Sequence, residues 1–464
     1  MRMQTLTMER RPEPALPLRL MALAAAGLAL FSLAAGLLGP GLLAADDGWR
    51  RPEALLVVHL ATLAWLTPLM MGALYQLVPV VLHLPLAATT WARPLAGLYV
   101  AGLALFLTGL AAVAGLPPFV GLAAAPGGAW TWLAAGGSLL LAAILLYLAQ
   151  MARTLAGLGR AGWSLQAAAV TAALAFLGAV AGWGATLAFN LRWGFLGAAV
   201  ERQLAVHVTL GLGGWFGSLA MGVGYQLIPM FAPTRHLEER AAPWLLAGWL
   251  AGVAGLALLL PLRPGAARLW APLPAAALAG WALDVSRIVA RRSRSQPMPL
   301  VTRFSLAAAW TLAAAGLAAL ATLEGFLPER VAALAGFLGL AGYTLLAVGQ
   351  MYKIVPFILW QGLYLLAGSL RPSAFAPASP PPPLKSGLWL PERPSQATLP
   401  LFLAGLVLLA AGTAAAEPLL LRLGCALWGA AGVASALLIA WTFRAAGRSA
   451  RLARGAGGPE GAGL

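Results

Sequence analysis

The sequence predicts an all-α polytopic membrane protein, and three observations support that prediction. Of the 464 residues, 61% are hydrophobic and only 9% are charged, a composition that excludes a soluble globular protein. Apolar stretches recur along the chain at the length of about 20 residues that a helix needs to cross a bilayer. One short motif also occurs three times at the ends of such stretches, which indicates internal repetition.

About twelve transmembrane helices are predicted, and together they form one integral membrane domain over residues 1–464. Helices are expected because they pair their backbone groups internally, as a segment that crosses lipid must. The first span is predicted as a retained helix rather than a signal peptide, because it is long. The predicted spans are 18–42, 54–82, 94–116, 128–150, 163–190, 202–231, 242–262, 266–290, 304–325, 330–361, 397–416 and 419–443.

Two segments outside these spans have distinct compositions. Segment 366–396 contains four consecutive prolines, Pro380 to Pro383, and is predicted as a stiff, extended cytoplasmic loop. Segment 444–464 begins with Arg444 and Arg448 and is predicted as a basic C-terminal tail that lies against anionic lipid headgroups. Neither segment has the composition of a soluble domain.

The net charge of +16 sets topology and does not indicate nucleic-acid binding. We count 21 of the 30 Lys and Arg residues in the N-terminus, the even-numbered connections and the C-terminus. Positive charge concentrates on the cytoplasmic side of membrane proteins. We therefore predict cytoplasmic N- and C-termini in a bacterial-type inner (plasma) membrane, with the lipid bilayer as the main partner.

The repeated motif, Gly-x-x-Tyr-[Gln/Lys]-[Leu/Ile]-[Val/Ile]-Pro, closes predicted spans 2, 6 and 10. Each copy lies 19 to 21 residues after a glutamate. Since these spans are each second in a group of four, the chain is predicted to form three four-helix arcs, 18–150, 163–290 and 304–443, with pseudo-threefold repetition. The motif residues are Gly72, Tyr75, Gln76, Pro79; Gly222, Tyr225, Gln226, Pro229; and Gly349, Tyr352, Lys353, Pro356.

The position of the motif at the cytoplasmic end of each span suggests structural roles. We predict that the tyrosines belong to an interfacial aromatic belt, that the glycine permits close helix packing and that the proline ends or kinks the helix. The residue after each tyrosine, Gln76, Gln226 or Lys353, either lines an inner vestibule or extends toward lipid headgroups. The glutamates are predicted to mark helix N-termini: Glu53, Glu201 and Glu329.

Two of the four histidines, His59 and His207, are candidate cofactor or metal ligands, with a hydrogen-bonded packing role as the alternative. Both lie about 9 Å inside the outer membrane boundary, where ionisable side chains are costly and often functional. Histidine precedes the motif tyrosine by 16 residues in copy one and by 18 in copy two. At ~100° per residue, the two imidazoles are predicted to face different environments unless Pro68 absorbs the difference. Copy three has Ala335 instead, and the remaining histidines fall in connections: His83 and His236.

The segments around both histidines resemble subunit I of the haem-copper oxidase superfamily, in particular divergent relatives of the cytochrome-c-type oxidases and nitric oxide reductases. The similar segments are Leu56-Val57-Val58-His59 through the motif at Tyr75, His207-Val208-Thr209 through Tyr225 to Phe231, and Met351 to Phe357. The helix count and the three arcs are also similar to that family. The resemblance in topology covers about residues 18–443.

The resemblance implies that His59 ligates haem, here haem b, with the second axial position left to another group or open, and that His207 ligates copper as the metal ligand. The family also uses a histidine pair on helix 7 and two histidines on helix 10, and residues 242–262 and 330–361 contain none. A self-sufficient reductase of oxygen or nitric oxide is therefore excluded. The resemblance still implies a role in respiratory electron transfer or nitric oxide metabolism, with a cytochrome c or other respiratory subunits as partners. The alternatives are a cofactor-free assembly partner of a respiratory complex and a small-solute transporter.

Overall fold

The computed structural model describes residues 15–124, 127–159, 163–232, 234, 241–292, 297–369 and 389–455. These residues form helices and their connections, without a sheet. Twelve of the helices are long and apolar enough to cross a membrane, so the predicted all-α polytopic fold and the predicted number of spans are confirmed. The chain is a multi-pass integral membrane protein.

The twelve membrane helices, named α1 to α12 in chain order, agree with the predicted spans to within a few residues at most ends. Their bounds are α1 Ala15–Ala44, α2 Pro52–Val81, α3 Thr89–Val113, α4 Gly128–Leu155, α5 Leu165–Trp193, α6 Gly197–Phe231, α7 Ala242–Leu259, α8 Pro264–Ala290, α9 Leu300–Leu323, α10 Arg330–Leu363, α11 Glu392–Ala415 and α12 Pro418–Ala450.

Local sequence explains where several helices begin and end. The Ser164 side chain accepts a hydrogen bond from the Ala167 backbone N–H at 3.2 Å and so caps the start of α5. Gly194 follows the end of the same helix with φ of +67°, a conformation that glycine adopts without strain. Pro52 occupies the first turn of α2, where its missing N–H costs no helical hydrogen bond.

Helices α2, α6 and α10, which carry the repeated motif, form the centre of the bundle. In the most apolar 18-residue stretch of each of these helices, 67%, 56% and 67% of the residues are buried. The corresponding share is 50% or less in the other nine helices. Burial by protein on most sides distinguishes a central helix from one that faces lipid. The candidate histidines on α2 and α6 therefore belong to the centre.

Helix neighbours recur with a period of four helices. The first and second helices of each predicted unit pack together, and so do the third and fourth. The fourth helix then packs against the first helix of the next unit: α4 on α5, α8 on α9 and α12 on α1. This is the neighbour order expected of three units placed in a ring, and the division into units stays a prediction.

The motif glycines lie where the second helix of each predicted unit approaches the first. A Cβ atom on Gly72 would lie 3.0 Å from the Pro17 carbonyl oxygen of α1. A Cβ on Gly222 would collide with Ala169 of α5, and one on Gly349 with Phe304 of α9. The predicted packing role of this glycine agrees with these contacts.

Both segments predicted outside the spans are shorter than expected. Helix α10 continues as a helix to Ser369, and α11 begins at Glu392. The connection between them therefore starts later and ends earlier than the predicted 366–396. Its four prolines lie outside the described residues. The helix of α12 extends to Gly455, so the first part of the predicted basic tail is helical, with Arg444 and Arg448 on that extension.

Candidate functional site

Each candidate histidine lies just before a π-helical segment: His59 immediately precedes one, and a single residue, Val208, separates His207 from the other. The segment covers Leu60–Leu66 in α2 and Thr209–Gly217 in α6, whereas α10 is an uninterrupted α-helix. A π-helix pairs residue i with i+5, so its turn is wider and each residue rotates less than in an α-helix. The angular count that assumed straight α-helices therefore fails for both histidines.

The two copies differ in the spacing between the histidine and the repeat tryptophan. His59 precedes Trp65 by six residues and His207 precedes Trp215 by eight. Of the two additional residues between His207 and Trp215, one is Val208, which precedes the π segment, and the other lies within it. From the tryptophan onward, both copies keep the same spacing to the motif.

Backbone carbonyls in both π segments accept hydrogen bonds from aromatic side chains of neighbouring helices. The Tyr99 hydroxyl of α3 donates to the Leu63 carbonyl at 2.7 Å, and the Trp249 indole of α7 donates to the Gly213 carbonyl at 3.1 Å. These carbonyls lie at matching positions, two residues before the repeat tryptophan. Pro68 lies five residues after Leu63 and has no N–H to donate, so Tyr99 supplies the missing donor.

The structure brings His59 and His207 together. Their ring centroids are 6.3 Å apart and the ring planes differ by only 23°. The prediction that the two imidazoles face different environments is wrong, because it ignored the π segments. The edge of the His59 ring also meets Phe106 of α3, at 5.2 Å between centroids.

The His59 ring has one nitrogen engaged and one free for a ligand. Its Nδ1 lies 2.7 Å from the Leu55 carbonyl oxygen, one helical turn earlier. A carbonyl only accepts, so Nδ1 carries the proton and Nε2 presents its lone pair. A hydrogen bond of this kind fixes the tautomer and orientation of metal-bound imidazoles.

His207 has an unsatisfied ring nitrogen inside the protein. Its Nδ1 is buried without a hydrogen-bond partner, although the Val180 carbonyl of α5 lies near the ring. The ring packs on Gly184, where a Cβ atom would lie 2.8 Å from Cε1. A buried polar atom without a partner is uncommon in folded proteins and here adjoins a second imidazole. Both rings keep part of their surface accessible.

The protein offers two imidazoles at this place and no larger set of ligands. Among the described residues, no group of three or more His, Cys, Asp and Glu side chains is placed to hold a metal ion. The membrane helices α7 and α10 contain no histidine, so the family's full ligand set does not fit. The two imidazoles would be the protein ligands of a cofactor that brings its remaining ligands with it.

Three hydrogen bonds link the central helices in a ring. Trp65 of α2 donates to the Thr344 hydroxyl of α10 at 3.3 Å, and Trp215 of α6 donates to the Thr67 hydroxyl of α2 at 3.3 Å. The Tyr343 hydroxyl of α10 donates to the Leu212 carbonyl of α6 at 2.7 Å, which completes the ring. These bonds fix α2 and α6 close to the two histidines.

The motif tyrosines lie in the protein interior, and the prediction of an interfacial aromatic belt is wrong for them. Each is buried and hydrogen-bonded to a neighbouring helix. The Tyr75 hydroxyl donates to Gln150 at 2.7 Å and that of Tyr225 donates to the Asp284 carboxylate at 3.0 Å. The Tyr352 hydroxyl pairs with Thr398 at 3.3 Å. The sequence alone does not show the face of the helix on which each tyrosine lies.

The polar residues that follow the motif tyrosines differ in burial. Gln76 is buried, and its Oε1 has no partner, whereas Gln226 and Lys353 are exposed. The motif prolines all lie inside helices: α2 and α6 end two residues after Pro79 and Pro229, while α10 continues past Pro356. The prediction was that the proline ends or kinks the helix, and in copy three the proline does not end it.

At the opposite end of the central helices, one arginine lies between two of the repeated glutamates. Arg50 Nε is 3.3 Å from Glu201 Oε1, and its Nη1 is 3.8 Å from Glu329 Oε1. Glu53 and Glu201 lie in the first turn of their helices, as predicted, and Glu329 immediately precedes α10. These side chains are about half exposed or more, so the ion pairs stabilise the bundle only weakly.

Sequence reasoning missed the residues that support the histidines, chiefly Tyr99, Trp249 and Gly184. A signal existed for the first two, since α3 and α7 hold the same place in their predicted units. No protein-family model matches the chain, and a search of curated proteins finds no match. The chemistry of the site is therefore what bears on function.

Proposed function

We propose that this protein binds haem b, or copper, in the membrane and acts in respiratory electron transfer or nitric oxide metabolism, as a divergent relative of haem-copper oxidase subunit I. The observation that supports this most directly is the pair of near-parallel imidazoles, 6.3 Å apart, in the centre of a membrane bundle. Ionisable side chains within a membrane mark functional sites by default.

The protein's own contribution is to hold the ligands in place. Leu55 fixes the His59 tautomer so that Nε2 is available, and Gly184 gives the His207 ring room beside α5. The apolar ring of Phe106 packs against His59. Haem iron or copper, when bound, would supply one-electron chemistry. A respiratory subunit or a cytochrome c is the proposed electron donor.

The histidine count argues against turnover by this chain alone. The histidine pair on helix 7 and the two histidines on helix 10 that the family uses are missing here. We therefore expect the purified protein to reduce neither oxygen nor nitric oxide. Gas consumption measured with an artificial electron donor checks this. Sustained turnover without an added subunit would contradict the ligand count.

Haem and metal analysis of the full-length protein, purified in detergent from cells supplied with haem and copper, tests the proposal. The expected result is a reduced-minus-oxidised haem spectrum, or bound copper, that a His59→Ala/His207→Ala double variant loses. His83→Ala is the matched control, because His83 lies in the connection after α2 and not in a membrane helix. A folded protein without haem or copper would overturn the proposal and leave the assembly-partner and transporter alternatives.

A further inference from the structure

The geometry of the histidine pair points to a more specific arrangement: we propose that His59 and His207 are the two axial ligands of a single haem iron. This inference rests on the proposed function and specifies its site. It differs from the assignment that the family resemblance implies, in which His59 holds haem and His207 holds copper. The two imidazoles would instead belong to one centre.

The separation of the rings fits opposite ligation of one ion. Imidazole nitrogens lie about 2.0–2.1 Å from a bound metal, so two on opposite sides are roughly 4 Å apart and their ring centroids roughly 6 Å apart. A tetrahedral pair would place the centroids closer, at roughly 5 Å. The observed 6.3 Å agrees with the opposite arrangement.

The number of protein ligands also favours haem over a bare ion. A structural zinc ion takes four protein ligands, and copper(II) prefers a tetragonal set of nitrogen and oxygen donors. The described residues provide no third His, Cys, Asp or Glu beside the pair. A haem iron brings four equatorial nitrogens of its own and needs only two axial ligands from the protein.

The two nitrogens available for coordination are consistent with this role. His59 has its Nδ1 engaged by Leu55, which leaves Nε2 for the iron. His207 Nδ1 has no hydrogen-bond partner, although the Val180 carbonyl lies near the ring. A π segment begins within two residues of each histidine, and such segments are frequent at functional sites.

A shared haem predicts a closed coordination sphere. With both axial positions filled, the wild-type protein should hold six-coordinate, low-spin haem and should bind no carbon monoxide in the reduced state. The family resemblance instead leaves the second axial position at His59 to another group or open, and an open position would give a high-spin iron that binds small gases. The two arrangements therefore differ in a spectrum and not only in activity.

The test uses the full-length, haem-loaded protein and its His59→Ala and His207→Ala variants. Optical and electron paramagnetic resonance spectra should show low-spin haem in the wild type. Each single variant should convert to high-spin haem that binds carbon monoxide, and added imidazole should restore the low-spin spectrum. His83→Ala should resemble the wild type.

Two outcomes separate this inference from the proposed function. A His207→Ala protein that keeps its low-spin spectrum, or a wild type with copper but no haem, would overturn the shared site and leave the proposed function standing. A wild type without haem or copper would overturn both. If the alanine variants do not fold, His207→Met serves instead: it should keep a low-spin haem with a raised reduction potential, since Met/His ligation raises the potential. An unchanged potential would overturn the shared site.

Discussion

The first two motif helices, α2 and α6, differ from the third, α10, in one half of their length only. All three have a glutamate at the start, and all three share the packed glycine, the hydrogen-bonded tyrosine and the internal proline. Only α2 and α6 also carry a histidine, a π segment and a tryptophan seven residues before the motif glycine. Helix α10 has Ala335 and Gly342 at the matching positions and stays α-helical. Features common to all three copies build the bundle, and features restricted to two copies mark the candidate site.

The largest loss of folded protein is expected from substitutions of the glycine that all three motif helices share. Leu at Gly222 or Gly349 would place side-chain atoms where Ala169 and Phe304 already lie, so we expect severe loss of folded protein. Gly72→Leu should be milder, because the nearest atoms lie at 3.0 Å or beyond. Yield after size-exclusion chromatography in detergent measures this. Gly97→Leu on α3, with open space around it, is the control, and equal tolerance at all four positions would remove the packing role.

The second prediction compares the loss of a hydrogen bond to a π-segment carbonyl with the loss of one to a carbonyl of a regular α-helix. Tyr99→Phe leaves the Leu63 carbonyl without its donor, since the residue five positions later is proline. We expect a loss of about 1–2 kcal/mol in the free energy of unfolding. The control is Tyr147→Phe, which removes a longer hydrogen bond, 3.2 Å, to the Met71 carbonyl within a regular α-helix. If thermal or denaturant unfolding shows both variants equally affected, the π carbonyls need no special donor.

The third prediction adds the missing histidine to the third copy. Ala335→His should leave the haem content and the haem spectrum unchanged, because α10 lacks the π segment that positions the other two rings. Pyridine haemochrome analysis against protein concentration provides the measurement. A second haem per chain, or a shifted spectrum, would show that histidine alone is enough and that the π segment is incidental.

The smallest effect is expected at the glutamate end. Arg50→Gln removes both ion pairs, to Glu201 and Glu329, but these side chains are about half exposed or more. Such pairs contribute little, so the free energy of unfolding should fall by less than ~0.5 kcal/mol and the haem spectrum should not change. A larger loss of stability, measured at both low and high salt, would show that Arg50 joins the three copies.

The sequence predicted the number and limits of the helices because long apolar stretches depend on composition alone. It predicted the packing role of the glycines because glycine permits close approach whatever its partner. It did not predict that His59 and His207 meet, since angular reasoning assumed α-helical rotation throughout. The unequal spacings to Trp65 and Trp215 were the available hint, because a repeat that gains two residues must accommodate them somewhere. The burial of Tyr75 depends on which face meets Gln150, and that requires the neighbouring helices.

The ring of bonds from Trp65, Trp215 and Tyr343 has a consequence for electron exchange. Each central helix donates to one neighbour and accepts from the other, so none of the three can slide or rotate without straining two bonds. The histidines on α2 and α6 share that constraint, and the distance between their rings is set by the whole bundle. A redox centre held in such a frame would change its charge with little nuclear rearrangement, so its reorganisation energy would be small.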